Sequence, residues 1–477
     1  MNRKFTVLLS LFLLSPLILS ATAKGDGAKN HFKFYGFIRN YFAFDTRESN
    51  AGTGDLFYYL PLDKNMNEDG SQDLNAQPSF RFLSLTSRVG VDVYGYHVGK
   101  TDFGAKVEAD FYAGLSNAVG GTKINGTAQL RLRQAYLTIG WNDLPLTDKS
   151  KASVSLKLGQ AWHPLAADQP HVTGLETGTP FNPFSRTPMV LMDASLGKNF
   201  MISAGAIWQM QYLSQGPLKA TADYIKYAGT PEGYVGFTFK SNNGFLARLG
   251  MSVLSIKPRR VGEMEYTTHK NPYDVKVKTV RVSDRITTFN PYIYLQYKAK
   301  KFEFKAKSVY SQAGEHINLM SGYGISSTDF DDGHYSYTPL QASTSWASVS
   351  YGKKWQVMLM GGYMKNLGSL KPFVTDKIEG GVSYVEKSNV YFNGNGSSNL
   401  NSMWRIIPAV AYNIGKFTIA LEYNLTAAQY GKYKSISTVD GDKTVTKQYL
   451  PSRDGLAKDD LHWVYNNRIQ MMVKFSF

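Results

Sequence analysis

The sequence predicts an all-β fold: a transmembrane antiparallel β-barrel of about 16 strands. Three observations lead there. Apolar and polar residues alternate with a period of two over many segments. Those segments reach the roughly 9–11 residues that a tilted strand needs to cross a bilayer. The links between them alternate between short and long, as do the periplasmic turns and extracellular loops of an outer-membrane barrel.

Composition narrows the class. The chain has 477 residues, 14% of them aromatic, and no cysteine. Length alone suggests two or three soluble domains, yet no composition shift marks a linker. Transmembrane helices need runs of roughly 18 or more apolar residues. Only the start, MNRKFTVLLSLFLLSPLILSATAK, comes near that. It has a basic pair, an apolar stretch broken by Pro16 and an Ala21-Thr22-Ala23 site, the layout of a cleaved signal peptide. Residues 1–23 are therefore expected to be removed, leaving 24–477 as one barrel. Without cysteine there is no disulfide framework and no lipid on a cleavage-site cysteine. The net charge is +16. An exported chain rarely meets nucleic acid, so the excess points to anionic lipid or acidic solutes.

The strands are expected to start near His31, Phe80, Thr101, Ala128, Lys151, Arg186, Asn199, Glu232, Gly244, Thr287, Lys301, Gln341, Trp355, Leu400, Lys416 and His462. TDFGAKVEADFY sets Phe103, Ala105, Val107, Ala109 and Phe111 against Lys106, Glu108 and Asp110. KKFEFKAKSVY and GKFTIALEYNL repeat the pattern. AQLRLRQAYLTIGW changes phase between Leu132 and Leu137, which a bulge would explain. HVGK, LGKN, SNNG, KAKK, GKK and IGK are the short links, and WNDLPLTDKS is a longer one. The chain ends on a strand, with Ile469, Met471, Val473, Phe475 and Phe477 on one face. That strand is expected to close the barrel against the one beginning at His31.

A barrel in lipid turns its apolar face outward, and sixteen strands enclose a water-filled lumen. The inward face then carries Arg39, Arg88, Lys106, Arg131, Arg133, Lys157, Lys305, Lys307, Arg405 and Lys474. It also carries Asp92, Glu108, Asp110, Glu303 and Glu422. Ten cations to five acids predict anion preference. Trp141, Trp162, Trp208, Tyr212, Tyr297, Tyr310, Trp355, Trp463 and Tyr465 are expected at the membrane interfaces.

FKFYGFIRNYFAFDTRES, LTSRVGVDVYG, GAKVEADFYAG, LRLRQAYLTIG, LKLGQAWHPL and the terminal VKFSF resemble a Gram-negative outer-membrane porin, closest to the DcaP-like sixteen-stranded barrels. The match is good over the first two hundred residues; beyond them only the alternation matches. The resemblance implies a homotrimer in lipid and lipopolysaccharide, passive diffusion of small hydrophilic solutes, and a third loop folded into the pore. It makes Phe477 similar to the signal read by the barrel-assembly machinery. The loop would be the Pro- and Gly-rich segment 163–188, whose Asp168 and Glu176 would face the arginines of the first strands. Neutralising Arg131 and Arg133 should then widen the pore.

Other classes find less support. No G-x-S-x-G or H-E-x-x-H occurs and the histidines are scattered, so no enzyme or cofactor is expected. The early first strand leaves no room for a receptor plug. Asp329, Asp331 and Asp332 could bind calcium at a loop tip, although a solvated loop accounts for them as well. The alternatives kept open are a specific channel for acidic sugars, dicarboxylates or short peptides, and a structural or adhesive barrel.

Overall fold

The computed structural model describes residues 31–52, 57–112, 129–147, 150–174, 177–268, 271–375, 377–379, 382–392, 399–440, 443–450 and 452–477. The expected signal peptide lies outside them. Sixteen strands form the wall: β1 (His31–Asp45), β2 in two pieces (Ser79–Leu83 and Arg88–Val98), β3 (Thr101–Tyr112), β4 (Gln129–Thr147), β5 (Ser150–Trp162), β6 (Arg186–Leu196), β7 (Phe200–Ile207) and β8 (Glu232–Lys240). They continue with β9 (Phe245–Ile256), β10 (Ile286–Lys298), β11 (Phe302–Gln312), β12 (Tyr335–Gly352), β13 (Trp355–Ser369), β14 (Leu400–Ile414), β15 (Phe417–Tyr430) and β16 (His462–Ser476). Each pairs antiparallel with the next. β16 then pairs with β1, from Phe37 opposite Ser476 to Asp45 opposite Arg468, and closes the sheet. Closure leaves no edge for lipid to face with unpaired backbone groups.

The period-two reading locates the strands within a few residues. β12 departs furthest, starting at Tyr335 and not at Gln341, because its upper part pairs with the loop strand Gly322–Thr328. The phase change in β4 is a bulge: Glu108 pairs with Gln134, but Ala109 pairs with Leu132. One extra residue shifts the alternation, so Leu132 and Leu137 both face outward, 46% and 58% exposed. On β16 the split is plain: Ile469 is 53% exposed and Gln470 2%.

The aromatic belt holds for Trp208, Tyr297, Trp355 and Tyr465, all exposed. Trp162 and Tyr212 are corrections. Trp162 turns in and packs edge-on against Phe184. The Tyr212 hydroxyl bonds that of Tyr59 (3.0 Å). Both sit where long loops fold back over the barrel mouth, so ring and partner are covered by protein.

The long loops are numbered L1 to L8 in chain order. L1 (46–78), L3 (163–185), L4 (208–231) and L6 (313–334) pack together and on the inner wall. Phe57, Tyr59 and Leu60 of L1 and Leu165, Phe181 and Phe184 of L3 share a buried cluster with Met360 and Met364 of β13 and Met403 of β14. The hydrophobic core of this protein therefore lies inside the barrel, between loops and wall. L4 carries one short helix, Asp223–Ala228.

Candidate constriction and pore lining

One wall of the lumen is a ladder of charges on β1–β4. Antiparallel register places Arg88 opposite Asp110, Asp92 opposite Lys106, and Asp110 opposite Arg131. The Arg131 guanidinium grips Asp110 with two bonds (2.9 and 3.0 Å). Past the bulge, Arg133 donates to both Glu108 (2.7 Å) and Asp110 (2.6 Å). Arg88 lies 3.8 Å from Glu108. Lys106 donates to Asp92 (2.7 Å) and to the Tyr35 hydroxyl (2.9 Å). Planar guanidinium forks suit such bidentate pairing. Arg39, 1% exposed, donates from Nε (3.2 Å) and Nη2 (3.0 Å) to Thr86 and lies over the Phe37 ring.

L3 meets the rest of the wall and reaches back to β1. The Lys307 ammonium on β11 donates to the carbonyls of Leu165 and Asp168, each at 2.8 Å. Lys305 reaches the Gln169 carbonyl at 3.4 Å. On β12, the Ser348 hydroxyl accepts from the His171 N–H (3.1 Å), and the Trp346 indole donates to Asn182 (2.9 Å). On β15, Glu422 Oε2 accepts from the Thr173 N–H (2.7 Å), the Thr173 hydroxyl (2.7 Å) and the Gly174 N–H (3.1 Å). On β1, the Tyr41 hydroxyl donates to the Thr173 carbonyl (2.9 Å). A Cβ on Gly362 of β13 would lie 2.6 Å from the Phe181 ring, so only glycine lets the ring seat there.

Arg405 on β14 ties two loops to the wall. Its fork donates to Thr426 (2.7 Å), to the Thr179 carbonyl of L3 (2.9 Å), and to the carbonyls of Tyr58 (3.2 Å) and Tyr59 (2.8 Å) of L1. Arg405 (4.5 Å) and Arg468 (4.7 Å) both lie against the Tyr58 ring. All these partners of Arg405 are neutral oxygens.

The expected placement of the loop acids needs correction. Asp168 does not face Arg131 or Arg133. It pairs with Arg248 on β9, because L3 lies along that wall and its neighbours. The acids that do meet the first arginines, Glu108 and Asp110, come from the adjacent strand through cross-strand register. Glu176 lies outside the described residues. The alternation had omitted Arg81, Arg248 and Arg468, and the acids Asp45 and Asp193. Arg468 clasps Asp45 at 2.8 and 2.9 Å. Arg468 and Arg248 follow the same two-residue phase as Gln470 and Leu246, so the signal was present. L1 folding into the lumen left no such signal.

At the loop tip, Asp329 accepts from the Asp331 N–H (3.0 Å) and Asp332 from the His334 N–H (2.8 Å). These carboxylates cap a turn, and no group of three metal-ligating side chains is found among the described residues. Phe477 continues β16: its N–H donates to the Gly36 carbonyl (3.0 Å) and its carbonyl accepts from the Gly36 N–H (3.3 Å). A Cβ on Gly36 would meet the Phe477 ring at 2.6 Å.

A closed sixteen-stranded barrel with an apolar outer belt and a charged interior is an outer-membrane barrel of the porin type. Residues 13–152 match the family of the DcaP outer membrane protein. The fold is similar to the outer membrane channel DcaP of Acinetobacter baumannii, with a TM-score of 0.56, 15% identity, and coverage of 94% of this chain and 97% of that one. An anion-selective porin from Comamonas acidovorans aligns with a TM-score of 0.49 and 9% identity over 94% of this chain and 100% of that one. OmpT, an outer membrane protein of Vibrio cholerae, aligns with a TM-score of 0.47 and 9% identity over 96% and 100%. No curated protein matches the chain in sequence.

Proposed function

We propose that this barrel is a passive diffusion channel for small hydrophilic solutes and prefers anions. The observation that carries the reading is an imbalance of partners inside the wall. The acids Glu108, Asp110 and Asp45 are engaged by arginines, whereas Glu422 is held by the neutral donors of Thr173 and Gly174. Among the described residues, the hydrogen bonds of Lys307 and Arg405 all go to neutral oxygens, and Lys157 lies over the Tyr136 ring. The interior therefore keeps a positive potential, which draws anions in and raises the barrier to cations. L3 would set the width of the passage. The functional unit in this reading is a homotrimer in the outer membrane.

The test is a planar bilayer with a salt gradient. The reversal potential should carry the sign of anion preference; the opposite sign refutes it. Liposome flux separates the remaining readings. Size-limited uptake of many solutes supports a general pore. Saturable uptake of one acidic sugar, dicarboxylate or peptide supports a specific channel. No uptake leaves a structural or adhesive role.

A further inference from the structure

The neck of L3 meets a buried cluster of titratable groups that solute passage does not require. L3 begins at His163 and ends at Ser185, and the His163 N–H donates to the Ser185 carbonyl (3.0 Å). Beside it, the Phe184 N–H donates to the Ile317 carbonyl of L6 (2.8 Å). The two ends of L3 are thus fastened to each other and to one turn of L6.

Glu232, the first residue of β8, lies at the centre. His163 Nδ1 accepts from the Leu165 N–H (3.2 Å), so the proton of that ring is on Nε2. Nε2 donates to Glu232 Oε1 at 3.2 Å. His316 Nε2 faces the same oxygen at 3.3 Å, and its Nδ1 faces the Ala313 carbonyl at 3.3 Å. A ring with an acceptor at each nitrogen is satisfied as imidazolium. Glu315, next in the turn, accepts from the Gln215 N–H of L4 at 3.4 Å. Its Oε2, like Glu232 Oε2, has no hydrogen-bond partner among the described residues. His163, Glu232, Glu315 and His316 are all at most 1% exposed. The turn Gly314–Ile317 is flanked by Ala313 (φ 47) and Asn318 (φ 61). Both are left-handed without being glycine, a strained conformation that surrounding contacts must hold.

We propose that Glu232, His316 and Glu315 form a proton-operated latch, which holds the neck of L3 against L6 while protonated and frees it when the protons leave. This rests on the channel reading above. Burial raises the Glu315 carboxyl from 4.5 to about 7. Burial disfavours the His316 charge, but the Glu232 carboxylate outweighs it and raises the imidazolium above 6.5. Tyr323 of L6 also faces Glu315, and burial keeps it neutral. His163, Glu315, His316 and Tyr323 are the titratable side chains that face the latch from the loops, and Glu232 the one from the wall. Both raised groups bind protons more tightly docked than released. Docking is then strongest below the ordinary glutamate value and is lost as pH rises through about 7. Within that window, one proton changes the docked-to-released ratio about tenfold per pH unit. Above it, Glu315 carries a charge in a dry site where its Oε2 has no hydrogen-bond partner among the described residues, and the turn has reason to leave.

The experiment is single-channel recording of the whole protein from about pH 4.5 to about pH 8.5, with conductance normalised to that of the bulk solution. Conductance or open-channel noise should rise with pH. Glu315→Gln should abolish the rise that belongs to Glu315 below about pH 7 and leave only the His316 step, which begins above 6.5. A flat wild-type profile overturns the latch, and so does a Glu315→Gln profile identical to wild type. Hydrogen exchange of the Phe184 amide reads the neck without current. Exchange faster at high pH than base catalysis explains supports the latch, and protection unchanged across the range overturns it. Absence of any current refutes the channel reading, and exchange still decides the latch.

Discussion

At the scale of single residues, the ladder on β1–β4 changes what its removal should do. Glu108 and Asp110 are buried acids whose charges are met by Arg88, Arg131 and Arg133. Replacing Arg131 and Arg133 by glutamine leaves those acids short of partners. Breaking a buried pair in this way costs about 3–5 kcal/mol. The double variant should therefore shift the reversal potential toward cations and lower the melting temperature. The sequence alone predicts a wider pore; unchanged selectivity and stability would argue against the pairing. Arg405→Met removes a cation and four hydrogen bonds at once. It should loosen L1 and L3 together and weaken anion preference, which protease nicking and the reversal potential would show. Gly36→Ala would drive a methyl into the Phe477 ring and the Arg88 carbonyl. Assembly yield should fall, as it should on deleting Phe477, with the conductance of assembled pores changed less; heat-modifiable mobility on gels measures the yield.

At the scale of elements, the inserted loops share one fastening. L1 offers Phe57–Pro61, buried throughout, to Arg405, Tyr212 and the Tyr430 hydroxyl. L3 runs past it against β11, β12 and β15. Excising Phe57–Pro61 of L1 should thus raise conductance as well as excising the tip of L3 does; an effect confined to L3 would show that L1 only decorates the mouth. L6 is held at its tip too. Asp284 of L5 (257–285) accepts from the Tyr335 N–H (3.0 Å), pairs with Arg259 (2.8 Å) and contacts His334. Burial would raise the Asp284 carboxyl, but these donors outweigh it and hold it below 3.8. A depressed acid contributes stability above its ordinary value and loses it as pH falls through the lowered one. Hydrogen exchange at the L6 tip should therefore speed up as pH falls below about 4, opposite in sign to the Glu315 step at the neck of L3. Protection of the tip unchanged on acidification would contradict this.

At the scale of the whole molecule, β16 pairs with β1 over nine residues, from Phe37 to Asp45. The buried Asp45–Arg468 clasp joins the first strand to the last. Asp45→Asn should weaken this seam, lowering the temperature at which the barrel loses its compact gel mobility. An unchanged transition would place the weak seam elsewhere.

Much of this was legible along the chain because a barrel strand has a local rule. Lipid outside and water inside impose a period of two on every strand. That rule located sixteen strands, the bulge at Leu132 to Leu137, and the faces of Ile469 and Gln470. Loops obey no such rule. Nothing in the spacing of Tyr58 and Tyr59 said that L1 enters the lumen, and Trp162 looked like a belt residue until Phe184 covered it. Asp168 was read as a partner for the first arginines because sequence shows which charges a loop carries and not where it lies.

The sequence by itself determined the barrel, its strand number, and which side chains turn inward, because alternation is set by each residue's own neighbours and by the two solvents. Only the tertiary structure decided which inward charges pair, which loops fill the lumen, and that His163, Glu232, Glu315 and His316 meet. His163, Glu232 and His316 lie far apart in the chain, and only the docking of L3 and L6 at the start of β8 brings both imidazoles within hydrogen-bond reach of Glu232.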